Sequence, residues 1–351
     1  MSDPPQGFNC PVPLADRTTV LLGHGSGGKL SAELVRDLFL PAFRHPALAR
    51  LDDQAIVRVN GSRLAFTTDS FVVKPLFFPG GDIGTLAVHG TINDLAMGGA
   101  QPLFLSVAFI IEEGLPMDDL RRVVASIQRS AERAGVAIVT GDTKVVERGS
   151  GDGLFVTTSG IGFVPDGVDL SADRVRPGDA VLLSGSIGDH GITILGQREG
   201  LRFDSPVESD SAALHTLVAD MLAVGDGFRC FRDPTRGGLA SALNEIAAQS
   251  GVAIELDETR LPIRDEVRGA CELLGLDPLY VANEGKLVAL VDPALADRAL
   301  EAMHAHPLGA QATRIGTVHA TTRGPIVTMR TPFGTTRIVD MLAGDQLPRI
   351  C

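Results

Sequence analysis

The chain has 351 residues, enough for about two domains of ordinary size, and its 44% apolar content can fill a sizeable core. A net charge of −12, no Trp and a single Tyr argue against nucleic acid and anionic membranes as partners. An acidic surface repels phosphate backbones, and stacking platforms are missing.

The first thirteen residues are polar and Pro-rich, with no apolar signal segment. A Gly-rich segment follows at 23–28, reading Gly-His-Gly-Ser-Gly-Gly before Lys29. Residues 64–73 read as a strand, 82–97 as a helix closed by Gly98 and Gly99, and 103–111 as a second strand. That last run is the longest apolar one, far short of the ~20 residues that span a bilayer, so a cytoplasmic protein is expected.

Residues 116–134 place Leu120, Val123, Val124, Ile127 and Ala131 on one helix face. Asp118 and Asp119 suit its first turn and Gly135 its end. Strands follow at 136–140 and 154–164. A Pro/Gly/Asp-rich stretch at 165–179 divides the chain, and the alternation restarts with a strand at 180–184 and a helix at 238–248. The pattern predicts an α/β (α+β) protein. It divides into a Gly-rich lid segment (1–39), domains at 40–165 and 176–335, and a mobile tail at 336–351.

The Gly-rich segment is close to a P-loop, but Leu30 stands where a Ser or Thr would ligate Mg²⁺. It reads instead as a flexible lid in which Gly25, Gly27 and Gly28 free backbone N–H groups to wrap a phosphate. Aspartates recur at strand ends and on one helix: Asp52 and Asp53, Asp69, Asp94 and Asp142. Carboxylates gathered at one sheet edge repel unless a cation holds them, and Mg²⁺ bridges carboxylates to nucleotide phosphates. The motif Asp-Pro-Thr-Arg-Gly-Gly at 233–238 puts Arg236 and Gly237 at a helix start, a place for an anion. Glu284 sits in Asn-Glu-Gly-Lys, just before an apolar strand. Each motif alone is also consistent with an ordinary turn or cap.

The four cysteines, Cys10, Cys230, Cys271 and Cys351, show no CxxC spacing, so they are expected as reduced thiols. Cys351 ends the chain. Its own α-carboxylate tends to raise its pKa, which suits a thiol loaded by another protein better than a nucleophile.

In order, the Gly-rich segment, Leu-Asp-Asp-Gln-Ala, Thr-Asp-Ser, Ile-Asn-Asp-Leu-Ala-Met-Gly-Gly, Gly-Asp-Thr-Lys-Val-Val, Asp-Pro-Thr-Arg-Gly-Gly and the final Pro-Arg-Ile-Cys resemble the HypE family of hydrogenase maturation factors. The aspartate motifs are similar across the wider superfamily of aminoimidazole ribonucleotide synthetase, selenophosphate synthetase and thiamine monophosphate kinase. The terminal Pro-Arg-Ile-Cys points to HypE. The resemblance implies a two-domain synthetase-like fold, a homodimer paired through its N-terminal domains, and ATP with Mg²⁺ near the domain junction.

It also implies a reaction. The carbamoyltransferase HypF loads a carbamoyl group onto Cys351. ATP-dependent dehydration turns it into a thiocyanate, and the cyano group passes to iron on a HypC–HypD complex to complete a [NiFe]-hydrogenase. On that reading Asp52 or Asp53, with Asp69, Asp94 and Asp142, hold Mg²⁺. Asn93 and Gly141 lie in shared motifs at the nucleotide, Lys144 stabilises phosphate charge, and Glu284 is the base. Two rivals stay open: a small-molecule kinase of the same superfamily, and a non-catalytic thiol carrier. Cys10 is followed by Pro-Val-Pro with no nearby Lys, unlike selenophosphate synthetase.

Overall fold

The computed structural model describes residues 19–200, 207–342 and 350–351. Cys10 and residues 343–349 of the expected mobile tail lie outside the described residues. After a short 3₁₀ turn come three short helices, α1 (Lys29–Leu34), α2 (Leu40–Phe43) and α3 (Pro46–Ala49). Among the described residues no strand precedes the Gly-rich segment, and Val20 and Leu22 beside it are exposed, so it is not a P-loop.

The N-terminal domain is a five-stranded mixed sheet in the order β1-β2-β7-β5-β6. Its strands are β1 (Ala55–Val59), β2 (Ser62–Phe71), β5 (Gln101–Glu112), β6 (Ala137–Val146) and β7 (Leu154–Phe163), with a small hairpin of β3 (Phe77–Phe78) and β4 (Gly81–Asp82). Helix α4 (Ile83–Met97) opens with Asp82, whose carboxylate accepts from the N–H groups of Gly84 and Thr85. It is apolar nearly all round because it is buried on both sides, between this sheet and the second domain. Helix α5 (Met117–Ala134) covers α4 with one apolar face and ends at Gly135, φ +69°.

The C-terminal domain is a seven-stranded sheet in the order β14-β13-β10-β12-β8-β11-β9. Its strands are β8 (Ala180–Leu183), β9 (Phe228–Arg232), β10 (Ala253–Asp257), β11 (Val288–Val291), β12 (Thr313–His319), β13 (Ile326–Arg330) and β14 (Thr336–Ile338). Its helices are α6 (Asp189–Glu199), α7 (His215–Leu222), α8 (Gly238–Ser250), α9 (Asp265–Leu274) and α10 (Ala296–Ala305). The strand β8 is buried on both faces: Val181 and Leu183 pack with α8 residues, Ala180 and Leu182 with α7 and α10 residues. Residues 336–339 belong to this domain rather than to a tail, since β14 pairs with β13 and Val339 is fully buried.

Candidate active site

Carboxyl groups from both domains converge where α4 meets the second sheet. Asp53 precedes β1, Asp69 lies on the α4 side of β2, and Asp94 sits in the last turns of α4. Asp233 follows β9, and Glu284 lies in the loop before β11. Glu284 is 3% exposed. Burial pushes Asp94, Asp233 and Glu284 well above the usual carboxylate range, and the neighbouring acids add to it. Asp53 and Asp69 are raised for the same first reason, although Arg232 and Arg236 respectively pull them back. Asp94 also faces the negative end of its own helix. Buried acids with raised pKa values gathered between two domains mark this place as a candidate functional site.

Asp94 and Asp53 have side-chain partners, and Glu284 is held through its backbone. The Thr67 hydroxyl lies 2.8 Å from the Asp94 carboxylate and 3.0 Å from the Asp53 carbonyl oxygen. Asp53 pairs with the buried Arg232, which also donates to the Leu51 carbonyl. The backbone N–H of Glu284 donates to Asp210 (3.0 Å), itself paired with Lys286 at 3.2 Å. Gly285 is required there, because a Cβ would stand 1.8 Å from the Asp210 carbonyl oxygen. The Asn283 amide fixes the same loop to Gly188 and Pro234. The Oε1 atom of Glu284 keeps no hydrogen-bond partner among the described residues.

The Gly-rich segment is docked rather than open. Arg236 Nη1 donates to the Gly25 carbonyl (3.1 Å), and Gly27 has φ +74° with no room for a Cβ, which would meet the Arg236 carbonyl at 2.5 Å. Gly237 packs reciprocally on Gly27, and Gly28 lies against the Leu342 backbone.

The end of the chain enters this site. Ile350 forms an antiparallel bridge with Val73, the Val72 N–H donates to an oxygen of the Cys351 α-carboxylate (2.8 Å), and the Ile350 side chain is 3% exposed. Cys351 is half-buried beside Arg236, Glu284 and Asp69. Burial pushes its thiol far up; Arg236 pulls it partly back, and Glu284 and Asp69 raise it further. The residue is therefore poorly suited to act as a thiolate nucleophile.

Other expected residues lie elsewhere. Asp52 turns to Arg50 (2.9 Å) and Ser171 (3.1 Å), leaving Asp53 as the one of the pair that faces the acids. Asn93, expected at the nucleotide, is 1% exposed and ties α4 to the second domain. Its amide donates to the Ala212 carbonyl (3.0 Å) and accepts from the Leu214 N–H (2.8 Å).

Gly141, Asp142 and Lys144 are on the edge strand β6. Asp69 registers through Thr158 and Val107 with Gly141, three strand spacings or roughly 14 Å away. Asp142 registers with Ala108, Thr157 and Ser70, and therefore lies on the sheet face opposite the acids. There it is exposed and bound by Lys144 at 2.6 Å, which holds its carboxyl below the usual range. A cavity of about 810 Å³ between α5 and β6 contains Gly141 and Asp142, remote from Asp53 and Asp94.

Sequence reasoning passes over Asp233, although it heads a motif whose Arg and glycines stand out; Asp-Pro looks like a turn. Arg232 and His190 belong to no motif.

The Mg²⁺ expectation can be tested on the donor set. Among the described residues no three such side chains close on one point. The donors present are all carboxylate oxygens, the chemistry Mg²⁺ takes, and their buried, mutually repelling charge, which Arg232 and Arg236 offset in part, is what such an ion relieves. Asp53, Asp69, Asp94 and Asp233 fit it.

Family models for the AIR synthase related protein N-terminal and C-terminal domains match residues 51–164 and 176–327. The carbamoyl dehydratase HypE of Azotobacter vinelandii is 58% identical, over 95% of this chain and 97% of its own. The chain belongs to the HypE family. A crystal structure of hydrogenase maturation protein HypE in complex with ATP is 53% identical, covering 95% of this chain and 100% of that one, with a TM-score of 0.80. A HypE–HypF complex is 48% identical, covering 88% of this chain and 99% of that one, at 0.84. The two-domain fold is thus that of the family. No described helix is long and apolar enough to cross a membrane.

Proposed function

We propose that this chain is an ATP-dependent carbamoyl dehydratase that converts S-carbamoyl Cys351 into a thiocyanate. The observation that carries this reading is the seating of Cys351 beside Glu284 and Arg236, next to the buried acids.

The carbamoyl oxygen is a poor leaving group. Its attack on the γ-phosphorus of ATP forms a C–O–P bond and releases ADP. One nitrogen proton passes to solvent to give the O-phosphorylated imidate, and loss of the second nitrogen proton with phosphate then leaves S–C≡N. Glu284 takes the second proton, lost together with phosphate; burial and a free Oε1 suit it to that task. Arg236 faces the same place and offsets the phosphate charge. Mg²⁺, when bound, neutralises the phosphates. Asp53, Asp69, Asp94 and Asp233 would hold it. A cleft of about 450 Å³ lined by Leu48, Leu51, Asp53, Phe66, Thr68 and Glu245 adjoins them and suits a nucleoside.

Loading by HypF, and delivery of the cyano group to a HypC–HypD complex, both require Cys351 to leave this pocket. The described chain end is held by a short bridge, a few hydrogen bonds and one buried side chain, Ile350, contacts that a departing tail would have to break. The working unit is a homodimer in the cytoplasm. Phe66, Ile161 and Phe104 form one exposed row across β2, β7 and β5, and such apolar rows mark interfaces. Asp142 and Lys144 share that face, so a second copy brings them to its partner's phosphates.

A kinase would need this place for a free substrate, and Cys351 fills it. A pure carrier has no use for the acids. ADP release by the purified chain, with and without a carbamoylated Cys351, tests the proposal. Release that depends on the carbamoyl group supports it; none in either state favours the carrier.

A further inference from the structure

His190 opens α6 in the second domain and is fully buried. Its Nε2 lies 2.6 Å from the Ile350 carbonyl oxygen, and its Nδ1 lies 2.8 Å from Ser209 Oγ. The carbonyl can only accept, so Nε2 carries the proton. Ser209 Oγ already accepts from the Ser211 N–H at 3.2 Å, which leaves its own hydrogen for Nδ1. The ring is thus fixed as the neutral Nε2–H tautomer from both sides. Phe78 packs edge-on against it at 5.6 Å, and burial lowers its pKa, which favours the same neutral form.

The acceptor is the carbonyl immediately before Cys351. On the other side, Val72 and Val73 hold the Cys351 α-carboxylate and the Ile350 backbone, and the Ile350 side chain enters the first-domain core with Phe71, Val73 and Phe78. The last two residues are therefore clamped between the domains. The first domain supplies a strand edge and an apolar socket; the second supplies one directed N–H.

We propose that His190 is a positioning residue: its Nε2–H is the latch that seats the terminal Ile-Cys and aims the thiol at Glu284. When the tail leaves for loading, this buried donor loses its acceptor, which favours return. No contact of His190 with the reacting atoms is implied. The inference rests on the dehydratase reading only for its consequence; the seating of the tail can be measured without turnover.

The test uses the full-length chain and follows iodoacetamide labelling of Cys351 by mass spectrometry of the C-terminal peptide. Docking slows labelling, because the pocket half-buries the thiol and raises its pKa. His190→Phe should label roughly tenfold faster, the loss of one buried hydrogen bond. Its dehydration rate from the carbamoylated state should fall, with Mg²⁺-ATP affinity unchanged. His190→Gln, whose amide can donate, should recover part of both. Ile350→Ala, which empties the apolar socket, should also speed labelling in a chain whose melting temperature shows it still folded. Faster labelling in Ile350→Ala with none in a folded His190→Phe overturns the latch. Wild-type labelling rates in both variants overturn the docked tail itself.

Discussion

Glu284 faces the thiol of Cys351 and is one of the groups that hold it above the ordinary thiol range, after burial itself. The two residues are far apart in sequence, and the second domain's 281–287 loop and the chain end must both be in place for them to meet. Glu284→Gln should leave loading by HypF intact and slow dehydration by roughly 10²–10⁴, the usual worth of a positioned base. Wild-type dehydration should keep rising with pH well above the range in which an exposed glutamate titrates. Burial, then Asp233, Asp210 and Asp69, raise the pH at which Glu284 ionises. Single-turnover rates across pH measure both.

Asp94→Asn should separate stability from function. The folded-state pKa of Asp94 is raised, first by burial and then by Asp233, Asp69 and Asp53. For an acid this penalises the fold above its unfolded pKa of 3.8, as the unfolded chain ionises first and stability falls with rising pH. The Asn variant, without ligand, should therefore melt higher than wild type at pH 8, and the gap should narrow as pH falls toward 4. Mg²⁺-dependent ATP turnover should be lost. Melting curves at several pH values check the first part, ADP release the second.

Gly27 and Gly25 should respond differently to alanine. A Cβ at Gly27 meets the Arg236 carbonyl in a left-handed backbone, whereas at Gly25 it meets nothing within 4 Å. Gly27→Ala should raise the KM for ATP by roughly tenfold or more, since the strain of about 1–2 kcal/mol falls on the turn that carries Arg236. Gly25→Ala should stay near wild type. Steady-state kinetics on the pair decides.

Lys144 offers a test of the dimer. It is exposed, on the sheet face opposite Asp69 and Asp94, and pairs with Asp142. Lys144→Ala and Glu284→Gln should each be inactive alone. If Lys144 serves the partner's site, mixing the two after dissociation and reassociation should restore part of the dehydration. No recovery would place both residues in a single chain's site.

Much of this site is legible in the sequence, for identifiable reasons. Helix α5 is marked by its apolar stripe, Asp118, Asp119 and Gly135, and it forms with those ends. Asp69, Asp94, Arg236 and Glu284 stand out because several charged residues recur at strand and helix ends beside glycines, where each alone could be a cap, and the structure gathers them. Asp142 stands in an equivalent motif, yet register places it on the other face; sequence pattern carries no information on which sheet edge a strand takes. Asn93 reads as a ligand by adjacency to Asp94, but one step along a helix turns a side chain by about 100°, here into the domain junction. Asp233 is hidden by its Pro. His190 is invisible, since its partner is a backbone carbonyl 160 residues later.

The central claim concerns the cargo of Cys351. The purified chain, incubated with HypF, carbamoyl phosphate and Mg²⁺-ATP, should give a C-terminal peptide that first gains a carbamoyl group and then loses one water. Cys351→Ala should show neither change while still binding ATP. A carbamoylated peptide that keeps its water, with ATP consumed or not, would contradict the dehydratase reading.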